Sequence, residues 1–112
     1  MTWAKLDDGF HSHPKIRAAL GRDPAAIALH SLAIAFAADY ETDGHVPAWF
    51  PESVFPQERQ RQSALDVLID LGLWTVNGDG HLIHDYLDYN PSKKSLDKRR
   101  AADAERKRQE RS

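Results

Sequence analysis

The chain has 112 residues, 41% hydrophobic and 29% charged, with no cysteine. That length makes one domain with residues to spare for a tail, and the missing thiols exclude disulfides, thiolate zinc sites and a cysteine nucleophile. Net charge is −2, but residues 1–90 hold six Lys/Arg against thirteen Asp/Glu (−7) while residues 91–112 hold nine against four (+5), a split that suggests an anionic partner for the tail.

Trp3-Ala4-Lys5-Leu6 is a candidate short strand, and Asp7-Asp8-Gly9 a turn. A first helix is expected over His13–Gly21, with Pro14 in its first turn and Gly21 as a left-handed stop. Asp23 caps the next helix and Pro24 opens it. It runs to about Tyr40 and is so rich in alanine that it is apolar on most sides, the mark of a central helix. Glu41-Thr42-Asp43-Gly44 reads as a turn and His45-Val46 as a short strand. Between Pro47 and Phe55 the two prolines allow only a very short or distorted helix.

From about Pro56 an amphipathic helix extends to Leu71, with Ala64, Val67, Leu68 and Leu71 on one stripe and Gly72 as its stop. Its first third, Gln57 to Gln62, is wholly polar and is expected to project beyond the core. Leu73–Val76 and His81–His84 read as strands, joined by Asn77-Gly78-Asp79-Gly80 with both the Asn-Gly and Asp-Gly hairpin signals. Residues 92–112 are charged, and Leu96 is their only large apolar residue. Such a segment is expected to be a frayed helix or disordered.

The predicted fold is therefore mainly α with a small β-hairpin (α+β). It is a winged helix-turn-helix over residues 1–91, followed by a basic tail over 92–112. In that architecture the polar-tipped helix enters the major groove of duplex DNA and the hairpin lies along the backbone. Gln57, Gln60 and Gln62 suit adenine edges, and Arg59 and Arg61 suit guanine or phosphate. At the wing, Asn77, Gly78 and His81 are candidates for phosphate contacts. Lys93, Lys94, Lys98, Arg99 and Arg100 of the tail would add affinity without sequence readout. The acidic body would repel DNA at long range, so contacts have to be local.

Several blocks carry a resemblance: Trp3-Ala4-Lys5-Leu6-Asp7-Asp8-Gly9-Phe10, His13-Pro14-Lys15, Thr42-Asp43-Gly44-His45-Val46-Pro47, Leu71-Gly72-Leu73-Trp74, and Ile83 through Ser92. In that order they resemble small winged-helix proteins of actinobacteria and their phages. Those are similar in turn to the N-terminal domains of phage replisome organisers and DnaD-like primosome proteins. The resemblance implies DNA binding in replication initiation or transcriptional regulation, sometimes with self-association through the N-terminal strand and helix. Two departures stand out: Pro51 lies in the first helix of the helix-turn-helix, and a basic tail ends the chain where replisome organisers continue into a further region.

Other chemistry is poorly represented. His11/His13 and His81/His84 with Asp85 offer nitrogen and oxygen ligands, but without cysteine or a helical His-x-x-x-His pair no metal or other cofactor is expected. The serines sit in no nucleophile elbow and the glycines in no phosphate loop, so no enzymatic activity is expected. No run approaches the roughly 20 apolar residues of a membrane span, and the N-terminus is polar, so a cytoplasmic protein with no membrane partner is expected. Expected partners are double-stranded DNA and, for half-site binding, a second copy. The competing reading is an adaptor that docks on a host replication or transcription protein, which the acidic body favours. A third is weak nucleic-acid binding through the tail alone.

Overall fold

Asp23-Pro24 divides the N-terminal half. A residue before proline is pushed out of the helical region, and Asp23 is extended at φ −162 and ψ 106. Helix α1 (Pro14–Arg22) therefore ends there, its last N–H bond running from Asp23 to the Ala19 carbonyl. The helix passes through Gly21, so the stop expected at Gly21 is made by Asp23 instead. The same aspartate opens helix α2 (Pro24–Tyr40), where its Oδ1 accepts the Ala25 N–H at 3.0 Å. A 3₁₀ turn (Phe10–Ser12) precedes α1.

The computed structural model describes residue 4, residues 6–90 and residues 92–111. Residues 3 and 5 of the expected N-terminal strand lie outside the described residues, and Ala4 and Leu6 are in no strand.

Beyond α2 the chain turns through left-handed Glu41, Asp43 and Gly44 into strand β1 (His45–Val46). Helix α3 (Trp49–Val54) is short and holds Pro51 as its third residue, inside the first turn where a missing N–H costs nothing. Helix α4 (Glu58–Asp70) buries Ala64, Val67 and Leu68, and Gly72, at φ 73, follows its end as expected. Strands β2 (Trp74–Asn77) and β3 (Gly80–Ile83) form the hairpin, and β1 adds to β3, giving an antiparallel sheet of order β1-β3-β2. The hairpin's central pair is Gly78-Asp79, with Asn77 opposite Gly80. Only the first of the two has positive φ, 59°, the II′ pattern in place of the Asn-Gly or Asp-Gly turns expected. A Cβ at Gly80 would run into the Val46 carbonyl oxygen, so only glycine lets β1 pass so close to the hairpin's end. A short helix α5 (Tyr86–Tyr89) leads to α6 (Lys93–Arg111), so the tail is a helix. The architecture is mainly helical with a small three-stranded antiparallel sheet, an α+β fold.

One core joins these layers. Ala19, Leu29, Ala33, Ala37, Ala64, Leu68 and Trp74 are completely buried, and the alanines let α1, α2 and α4 approach closely. The Trp74 indole N–H donates to His30 Nδ1 at 2.9 Å, while Phe10 stacks on the His30 ring at 6.0 Å between centroids. Burial pulls the His30 pKa from 6.5 down to about 4, so the imidazole stays neutral in the folded chain. The unfolded chain takes up that proton as pH falls below about 6.5, and the folded chain refuses it until about 4. Stability supplied by neutral His30 is therefore complete above pH 6.5 and is lost on acidification, by roughly 2 kcal/mol at pH 5. Urea unfolding at pH 7.5 and pH 5 checks this. His30→Leu should be less stable at the higher pH but lose less between the two; equal losses would contradict the assignment.

Candidate nucleic-acid interface

At the tip of α4, Gln57 is the N-cap residue and makes no side-chain cap bond; Gln57, Glu58, Arg59 and Gln60 are all exposed. Arg59 makes no ion pair among the described residues. Two of the predicted tip residues are otherwise engaged. Arg61 is half-buried, its Nη1 donating to the carbonyls of Phe55 at 3.0 Å and Pro56 at 3.2 Å. Those carbonyls face the elbow between α3 and α4, and a guanidinium reaches both because its donors diverge. Arg61 thus fixes the elbow and does not project into solvent as expected. Gln62 donates to Asp66 Oδ1 at 2.7 Å.

The outward side of α4 is mixed in charge. Glu58, Arg59, Gln62, Ser63 and Asp66 line an open groove that Arg22 of α1 closes on one side. Arg22 is bound to Asp70 at 3.0 Å, and Ser63 donates to Asp23 Oδ2 at 2.6 Å. Carboxylates therefore flank Arg59 along the helix, which restricts any contact with phosphates or bases to its first turn.

At the hairpin, Asn77 and Gly78 are exposed as expected. His81 is not at the tip. Its ring lies half-buried against Trp74 at 5.7 Å between centroids, and its Nδ1 is buried without a hydrogen-bond partner. Burial, helped by the charge of His45, lowers its pKa and disfavours the cation that phosphate binding would use. The loop instead exposes Asp79, a carboxylate that repels phosphate, and Val76 beside it is 67% exposed.

Helix α6 holds the cations. Ser92 caps it, its Oγ accepting the Ser95 N–H at 3.1 Å, and Asp43 accepts the Lys93 N–H at 2.7 Å. Glu41 receives both Lys93 Nζ, at 3.7 Å, and Arg100, whose bond to it holds the Glu41 carboxyl below its usual range. Lys93 and Arg100 also pair with Asp97. Those two cations are spent on anchoring α6 to the turn after α2. Lys94, Lys98 and Arg99 are exposed, form no ion pair among the described residues, and lie on the side of α6 turned away from Glu41. The anchoring pairs were missed in the sequence; the two acidic residues flanking Thr42 in a left-handed turn were the available signal.

No protein-family model, curated protein or solved structure matches the chain at a significant level. Among the described residues no group of three His, Asp or Glu side chains could hold a metal ion, and no helix is long and apolar enough to cross a membrane.

Proposed function

We propose that this chain is a winged-helix protein that binds duplex DNA, acts in replication or transcription, and carries out no catalysis itself. The observation that carries the reading is the set of unpaired cations Lys94, Lys98 and Arg99, with Lys107 further along, on a helix anchored to the body through other charges. Phosphate binding of this kind supplies affinity without sequence preference. Readout falls to the first turn of α4, where Gln57, Arg59 and Gln60 are free to meet base edges. The β2–β3 hairpin that follows α4, with β1 paired to β3 and an exposed end at Asn77 and Gly78, supports the winged-helix assignment.

Arg59→Ala tests the division of labour. It should cost about 1–3 kcal/mol of preference for a selected site while the salt dependence changes by about one unit or less. Footprinting of the variant at the same sites with the same preference would remove α4 from the interface.

A second reading, docking on a host replication or transcription protein, is favoured by the carboxylates Glu58, Asp66 and Asp79 on the surfaces a winged helix would turn to DNA. A flat DNA titration of the full chain would leave that reading standing.

A further inference from the structure

Helix α2 buries one side and leaves another open. Ala28, Leu32 and Ala35 are exposed, Leu32 by 50%, and Phe36 and Tyr40 continue the row at four-residue steps. Tyr40 is 66% exposed and its ring lies 4.8 Å from that of Phe36. Helix α3 widens the patch: Trp49, 56% exposed, meets Phe36 edge-on at 5.4 Å, and Phe50 lies against it at 4.5 Å. Neither helix contains a Lys or Arg, and the exposed charges on them are Asp39 and Glu52. Aromatic enrichment with charges kept to the margin is the composition of an interface core.

The open parts of these side chains amount to roughly 500 Å², near the largest patch a monomer usually leaves to solvent. Two such patches facing each other across a two-fold axis would bury about 1,000 Å², the lower bound for a specific interface. Ala28 and Ala35 on either side of Leu32 allow two α2 helices to approach closely. We propose that a second copy of this chain docks on the α2–α3 face, forming a symmetric homodimer.

The inference stands apart from DNA binding and is tested without nucleic acid. Sedimentation equilibrium of the full chain should give twice the chain mass, and Leu32→Glu or Trp49→Glu should weaken association at least tenfold. Both positions are half exposed, so the circular dichroism spectrum of each variant should match the wild type, showing that the fold is kept. Ala28→Gln, a smaller change at the same face, should act in the same direction. A chain that stays monomeric up to about 100 µM overturns the proposal and leaves the patch to a different protein. A dimer that survives all three variants overturns it too. So does one lost only when Lys94, Lys98 and Arg99 are replaced by alanine, since the contact would then lie on α6.

Discussion

Replacing Lys94, Lys98 and Arg99 together by alanine is expected to weaken binding to duplex DNA by about two orders of magnitude or more near 0.1 M salt. Each phosphate neutralised on a duplex releases about 0.9 of a counterion, so three contacts contribute about 2.7 to the salt slope. At that ionic strength the contribution is roughly 500-fold in affinity. Fold should not suffer, because none of the three side chains forms an ion pair among the described residues and all are exposed. Arg100→Ala is the contrasting variant. It removes the bond to Glu41, so it should loosen α6 and shorten hydrogen-exchange protection over its first turns. Fluorescence anisotropy with a labelled duplex separates the two, and an unchanged affinity in the triple variant would take α6 out of the interface.

The second large effect is on stability. Trp74→Ala is expected to cost about 3–5 kcal/mol, a large share of the 5–15 kcal/mol typical of a domain. Trp74 is fully buried at the junction of sheet and helices, and its removal leaves a cavity between α2 and β3. It also strips the buried His30 Nδ1 of its donor. Trp74→Phe keeps most of the apolar volume and loses the hydrogen bond, so it should cost about half as much or less. Urea midpoints measure both. A loss below about 1 kcal/mol for the alanine variant would show that the indole is not the centre of this core.

Helices α1, α2 and α4 were legible because their ends are written locally: Pro14, Asp23-Pro24 and Gly72 act on neighbouring backbone, and the apolar spacing of α4 needs no partner to be seen. Sheet register was less accessible. With the turn centred on any two adjacent residues of Asn77–Gly80, His81 falls on the same face as Trp74, because paired positions share a face and alternate ones return to it. Core placement of Trp74 therefore implies an inward His81, whereas proximity to the turn alone suggested the wing tip. Val76 shares that face yet is exposed, since the hairpin extends past the core.

The remaining differences involve partners distant in sequence. His30 and Trp74 are 44 residues apart, Asp43 and Lys93 are 50, and Glu41 and Arg100 are 59. No local pattern announces such pairs. The tail illustrates the cost: judged alone, residues 92–112 lack an apolar stripe, but α6 is held at its start by Ser92, Asp43 and Glu41, a set of polar contacts that composition does not register. Arg61 is a milder instance. Its neighbours are all exposed, and only the elbow at Phe55-Pro56 shows why this one arginine turns inward.

The central claim, a DNA-binding protein whose affinity comes from a basic helix on an acidic body, is tested most directly by the salt dependence of the full chain on a mixed-sequence duplex. The account predicts a linear fall of log K with log salt, with a slope of about −3 to −4 for three α6 contacts and one from Arg59. A flat dependence, or no measurable binding at about 50 mM salt, would contradict it.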